Sequence, residues 1–284
     1  MSFWRPNRRC CPSCGRTARE AGVSALRCVY RLALCGLGLA VFACEDIPRD
    51  NPLDPLNPES TVSKRHLIEA FVNTGAHPSE FNRFMLDALD SLETMYGNRI
   101  SIVQYHRSIG EHTDPYHLAE NDIRYQHLLD ALQSDFKGAP DVFVNGIARR
   151  IQGASSRENA FFRLQQALLA ETANHENFYL SVRVDRHPGD IVARVTVARL
   201  GNTPAKDLRI RAILTEDKGL LHQSRVVRAG TDSEVIERLS AGEIREMVLP
   251  AMTWEGSRTG RLIVTLMDRE TICAYQTSET VFPD

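Results

Sequence analysis

The chain has 284 residues, 43% hydrophobic and 25% charged, which is the makeup of about two folded domains and excludes wholesale disorder. Its net charge of −2 is uneven: residues 1–44 carry seven arginines and one acidic residue, so the remainder is acidic and lacks the basic footprint that nucleic acid needs. Six of the seven cysteines also lie in those first 44 residues, which leaves Cys273 alone and excludes an intrachain dithiol cycle in the part that reads as folded.

Arg27 and Arg31 precede an apolar run, residues 32–42, of signal-peptide length and too short to span a bilayer. The run ends in Val41-Phe42-Ala43-Cys44. This resembles a bacterial lipoprotein signal, in which an apolar residue, a variable one and a small one precede the cysteine. The resemblance implies that residues 1–43 are a signal peptide, that cleavage falls before Cys44, and that Cys44 carries the lipid. Several acyl chains, at about 0.8 kcal/mol per buried methylene, make a stable membrane anchor. An uncleaved anchor and an ordinary cleaved signal are the alternatives. Cys11-x-x-Cys14 is half of a zinc site without a second half. Residues 23–44 form a compact leader by themselves, so residues 1–22 read as an extension from a mis-set start of translation.

Residues 44–62 read as the lipid-bearing cysteine and a tether. Residues 45–60 hold four prolines in repeated Asn-Pro and Asp-Pro steps, which forbid regular structure and suit an extended spacer.

Residues 63–172 read as strand, helix, strand, helix, strand, strand, helix. A short apolar run, residues 67–72, stops at Asn73-Thr74-Gly75, and Pro78 opens a helical pattern with Phe81, Phe84, Met85, Ala88, Leu89, Leu92, Met95 and Tyr96 on one face. Residues 99–105 form an Ile/Val-rich strand, and residues 118–132 a helix with Ile123, Leu128, Leu129 and Leu132 inward. Residues 141–144 form a strand, Asn145-Gly146 a turn, residues 147–151 the return strand, and residues 154–171 a last helix. A helix end offers unpaired N–H groups and partial positive charge, so the turn Ala76-His77-Pro78-Ser79 stands where reactive groups are often placed.

This order resembles the thioredoxin fold. Gly138-Ala139-Pro140-Asp141-Val142 resembles the loop of that fold whose proline is cis, and the resemblance implies that Pro140 faces Ala76–Ser79. Residues 68–82 (IEAFVNTGAHPSEFN) resemble the opening of the Omp28-related bacterial outer-membrane lipoproteins, and VQYH at 103–106, Asp114-Pro115, Arg124 and VFVNG at 142–146 are similar to the same family. The resemblance covers residues 63–284. It places two thiols where this chain has Ala76 and Ser79, so the site is expected to be degenerate.

Other chemistry at this turn is poorly supported. A Ser79 nucleophile needs a base in reach and a third group to orient that base, and His77, two residues away, does not face it. His106, His112, Asp114 and His117 are the weak metal candidates, all from one loop, but their spacings fit no tight ligand pair. No phosphate-binding loop or dinucleotide fingerprint occurs, and no cofactor is expected.

From residue 176 to 284 the period changes to two, with turn signals between six or seven short strands, which suggests an immunoglobulin-like β-sandwich. Arg183, Arg194, Arg209 and Arg211 recur on its outward face and read as solvated charges guarding strand edges. Cys273 lies in a strand pattern as a small apolar side chain, and Trp254 and Phe282 read as packing residues.

The expectation is therefore a thioredoxin-like α/β domain followed by an all-β sandwich, lipid-anchored in a bacterial cell envelope, most simply at the outer membrane. Its expected role is non-catalytic binding of a protein or peptide. The alternative is an envelope protein related to thiol-disulfide oxidoreductases, disfavoured because both thiol positions are replaced.

Overall fold

The computed structural model describes residues 62–75, 79–171, 177–201, 203–256 and 258–283. The signal peptide, Cys44, nearly all of the tether, and Ala76, His77 and Pro78 lie outside the described residues. Everything described belongs to one compact unit, Asp50–Asp284.

The fold is mixed α/β, with a large sheet, a smaller sheet and three α-helices among the described residues. The elements in chain order are β1 (His66–Val72), α1 (Glu80–Tyr96), β2 (Ile100–His106), α2 (Ala119–Ala131), β3 (Asp141–Val144), β4 (Arg149–Gln152) and α3 (Arg157–Glu171). Nine strands follow: β5 (Phe178–His187), β6 (Asp190–Arg199), β7 (Ala205–Glu216), β8 (Val226–Asp232), β9 (Ile236–Leu239), β10 (Ile244–Val248), β11 (Met252–Thr253), β12 (Gly260–Asp268) and β13 (Ala274–Phe282).

β1 is central to the first half. It runs parallel to β2, from His66 opposite Ile100 to Val72 opposite His106, and antiparallel to β3. Alternate side chains of a strand face opposite sides, so β1 feeds two cores. Ile68, Ala70 and Val72 pack under α1 and α3, with Met85, Leu89, Leu92, Leu164 and Leu168. Leu67 and Phe71 pack on the other side with Tyr105, Tyr125, Leu128 and Phe143. Because both faces are covered, β1 and β2 are buried along their whole length.

α1 presents a narrower apolar stripe than its sequence suggests. Met85, Leu86, Ala88, Leu89 and Leu92 are buried, while Phe81 and Met95 are more than half exposed and Asn82 is buried in their stead. Ile123 of α2 is likewise exposed. A helix packed on a sheet buries only the arc that meets it, and periodicity does not fix the width of that arc.

The second half supplies two layers. The four-stranded sheet of β5, β6, β10 and β11 packs on β7, β9, β12 and β13 through Phe178, Val195, Val197, Ile210, Leu214, Leu262 and Leu266. The Trp254 and Phe282 rings meet edge to face at 5.2 Å in this core.

These strands do not stop at the first half. The order β13-β12-β7-β8-β2-β1-β3-β4 forms one sheet through both halves. The seam between β8 and β2 is a single parallel pair, Gln104 opposite Val226, where the Gln104 N–H donates to the Arg225 carbonyl at 2.9 Å. The core under α2 spans the seam, since Ile213, Val227, Ile263 and Met267 join Leu67, Phe71 and Tyr125 in it. A second join runs through Glu279, which accepts from Arg65 at 2.6 Å, Ser101 at 2.7 Å and Arg261 at 2.9 Å.

A third join depends on Gly146. It sits at φ +68°, and a Cβ there would lie 1.8 Å from the Ile272 carbonyl oxygen. Only glycine fits that approach. Asn145-Gly146 is therefore no two-residue hairpin turn. A 3₁₀ turn over Gly146–Ala148 carries the chain from β3 to β4.

Candidate functional site

The end of β1 and the start of α1 are held by a dense polar network. The Asn73 amide group donates to the Arg107 carbonyl at 2.8 Å and the His112 carbonyl at 3.0 Å, while its side-chain oxygen accepts from the Gly75 N–H at 3.1 Å. The Thr74 N–H donates to Asp114 Oδ2 at 2.6 Å. Gly75 leaves no room for a side chain, since a Cβ would lie 2.1 Å from the Thr113 carbonyl oxygen. The turn is thus clamped to the loop that follows β2.

Ser79 is the N-cap of α1. Its hydroxyl oxygen accepts from the Asn82 N–H at 3.3 Å and from the Asn82 side-chain amide at 2.9 Å. Ser79 is exposed, and both of these bonds are structural: one adds to the bond that the Asn82 N–H makes to the Ser79 carbonyl at 3.0 Å, and the other holds the buried Asn82 amide at the head of the helix.

His106 and Asp114 form a fully buried pair. His106 Nδ1 lies 3.1 Å from both Asp114 oxygens and 3.1 Å from Thr74 Oγ1, and the Tyr116 ring meets the imidazole edge to face at 5.3 Å. Burial works to raise the Asp114 pKa, but the His106 hydrogen bond and charge, with the N–H groups of Thr74 and Tyr116, hold it below the usual carboxylate range. His106 Nε2 has no hydrogen-bond partner.

The four residues named as metal candidates do not converge on one point. His106 pairs with Asp114, and His117 Nε2 pairs with Asp122 Oδ2 at 2.8 Å. His112 enters through its main chain, which bridges to Ile109 and holds Asn73. Among the described residues no group of three or more His, Cys, Asp or Glu side chains is placed to hold a metal ion.

The Ala139–Pro140 peptide bond is cis, and Pro140 is buried just before β3. Asp141, next in the chain, accepts from the Tyr125 hydroxyl at 2.7 Å and pairs with Arg150 at 2.6 Å. A second buried ion pair crosses from β1 to α2. Arg124 holds Glu69 with two bonds of 2.9 Å, Nε to Oε1 and Nη2 to Oε2, with both side chains almost wholly buried. Sequence reading missed the Glu69 end of this pair. The signal that marks it is an acid inside an otherwise apolar strand, which demands a partner.

Cys273 lies outside the strands, between β12 and β13, and is half-buried. Burial pushes its thiol pKa up, and the nearby carboxylates of Glu171 and Asp268 add to that, against a Thr271 hydrogen bond and the Lys64 charge. The thiolate, the reactive form, is disfavoured there.

Comparison with known proteins gives the fold only. No family model matches the chain, and no curated protein matches it. Among solved structures the chain is similar to HBP35 of Porphyromonas gingivalis, at 12% identity and a TM-score of 0.55, over 78% of this chain and 76% of that one. It is also similar to a structural-genomics protein of Agrobacterium tumefaciens, at 14% identity and a TM-score of 0.49, over 78% and 96% of the two chains. These structural neighbours are bacterial proteins, and the HBP35 chain shares the overall fold. Among the described residues no helix is long and apolar enough to cross a membrane.

Proposed function

We propose that this chain is a lipid-anchored protein of the bacterial cell envelope with a thioredoxin-like first half that has lost its redox chemistry, joined to an immunoglobulin-like sandwich, and that it binds a protein or peptide without turnover. The topology supports the thioredoxin-like reading: β2, β1, β3 and β4 lie side by side, with β1 and β2 parallel and β3 antiparallel, helices on both faces and a cis proline before β3. Anchorage through Cys44 and an outer-membrane position rest on the leader sequence alone.

The observation that carries the loss of chemistry is Ser79. Where the Omp28-related resemblance expects a thiol, the chain has a hydroxyl committed to capping α1. Dithiol exchange requires an attacking and a resolving thiol. Cys273 is the single cysteine of the described residues, sits in the other half, and has its thiolate disfavoured.

Insulin reduction by dithiothreitol in the presence of the protein tests this. The expected rate equals the uncatalysed background, and a rate rising in proportion to protein concentration would overturn the proposal. The binding part is tested by crosslinking in intact envelopes. One recurring partner is expected, and its loss on changing the His77-Pro78 turn, or only on truncating residues 176–284, would assign it to one half. No recurrent partner at all would refute the binding role.

A further inference from the structure

Past their single shared pair, β2 and β8 part, and a cleft opens between them and the start of α2. It encloses about 310 Å³ and is lined by Tyr105 of β2, Leu118 and Asn121 at the head of α2, Arg211 of β7, and Arg228 and Ala229 of β8. It lies between elements of both halves and uses none of the residues of the α1 turn.

The walls carry polar groups that the protein itself leaves unmatched. Tyr105 Oη, Asn121 Oδ1 and Arg211 Nε have no hydrogen-bond partner, although Tyr105 and Asn121 are each only 1% exposed. Buried polar groups without partners are costly, so three at one cleft point to a group that supplies the missing bonds. Arg211 lies within hydrogen-bonding range of the Tyr105 hydroxyl and acts on it through both charge and contact, but in a geometry that leaves Tyr105 Oη and Arg211 Nε without a well-formed bond. Burial, and then the Glu69 charge, push the Tyr105 hydroxyl up to about 12, so it keeps its proton and can donate.

The chemistry of these groups selects a ligand class. Arg211 pairs through Nη1 with Asp232 at 3.0 Å but keeps its Nε unmatched, the Tyr105 hydroxyl donates, Arg228 stands on the rim 3.5 Å from Glu216, and the first turn of α2 has no side-chain cap on its N–H groups. These favour an anionic oxygen acceptor. Asn121 Nδ2 is already spent on the His106 carbonyl at 2.9 Å, so its free oxygen calls for a donor on the ligand. Glu120, exposed on the rim, opposes a multiply charged anion and suits a single carboxylate.

We infer that the β2–β8 cleft is a binding site for the free C-terminal carboxylate of a peptide, with Arg211 and Tyr105 holding the carboxylate and Asn121 accepting from a peptide N–H. This rests on the peptide-binding part of the function proposed above and adds a location and a recognition element to it.

Fluorescence anisotropy on the full-length chain tests it, with an N-terminally fluorescein-labelled pentapeptide pool carrying free carboxylates and the same pool amidated. Saturable binding of the free-acid pool is expected, at least about tenfold tighter than of the amidated pool, as for the loss of a charge-assisted pair. Tyr105→Phe, which keeps the ring stack on Phe71 at 4.7 Å, and Arg228→Gln on the rim should each weaken binding severalfold, Arg211→Gln about tenfold, and Ser79→Ala not at all. Equal affinity for the two pools, no saturable binding of either, or unchanged affinity in folded Tyr105→Phe and Arg228→Gln variants would overturn the inference. Weakening by Ser79→Ala with no effect of Tyr105→Phe would overturn this site while leaving a groove at the α1 turn intact. Insulin turnover would instead overturn the loss of redox chemistry and leave this site standing.

Discussion

The buried Glu69–Arg124 pair offers the sharpest test of how the two faces of β1 are held. Both side chains are nearly free of solvent, and the two parallel bonds of 2.9 Å leave the charges fully matched. Replacing Arg124 by Met keeps the stem volume but strands a carboxylate under α2. Breaking one partner of such a pair costs about 3–5 kcal/mol, because the remaining charge is desolvated without compensation. For a folded region of this size each kcal/mol moves the melting midpoint by about 2–4 °C, so Arg124→Met should melt about 6–20 °C lower. The double variant Glu69→Leu/Arg124→Met removes both charges and should recover most of the loss, finishing within about 1–2 kcal/mol of the parent. Urea unfolding of the parent, both single variants and the double variant closes the cycle. A double variant that loses the sum of the two single effects would refute the reasoning, since it would mean that the two groups act independently.

Three further outcomes follow from the same structure. Ser79→Ala removes the α1 cap and leaves the buried Asn82 amide short of an acceptor, and urea unfolding should show a loss of about 1–2 kcal/mol with no change in m-value. Gly146→Ala places a methyl group against the Ile272 carbonyl at a left-handed backbone position, and calorimetry should show a loss of at least about 2 kcal/mol, whereas Gly153→Ala, also at positive φ but with open space around it, should cost less. At Glu279 burial works to raise the pKa, but Arg65, Ser101 and Arg261 hold it below the usual range of about 4.5. A carboxyl depressed on folding gives stability that is present above its unfolded pKa and lost as pH falls through the folded one. Glu279→Gln should therefore be less stable at pH 7, and the gap should close as pH is lowered below about 4.5; a pH-independent gap would show that the charge is not the cause.

Much of the first half was legible in its sequence. The apolar runs at β1 and β2 are continuous because both faces are covered, and the 3.6-residue pattern of Met85, Leu89 and Leu92 marks α1. Asn73-Thr74-Gly75 announces the turn between them. The exposed Phe81, Met95 and Ile123 were not legible, because an apolar residue at helical spacing reads the same whether or not a neighbour reaches it. The partners within the histidine loop were not legible for a related reason. Spacing along the chain did not reveal that His106 turns inward to Asp114 while His117 turns to Asp122. Arg211 read as a solvated charge on a strand face, yet in the fold it stands in the β2–β8 cleft, paired with Asp232 at 3.0 Å.

The sequence by itself determined the kinds of element, their order in the first half, and the absence of a second thiol near the α1 turn, because these depend on residue type and local period; in the second half it marked six or seven strands where there are nine among the described residues, β9 and β11 being too short to show a period. Only the tertiary structure decided that β8 joins β2, so that one sheet and one core under α2 run through what reads as two separate patterns. That pairing rests on a single residue pair and on apolar contacts more than a hundred residues apart in sequence, for which no local pattern exists. The cleft with its unmatched Tyr105, Asn121 and Arg211 groups arises where those two strands part, and so it too belongs to the fold and not to any one stretch of the chain.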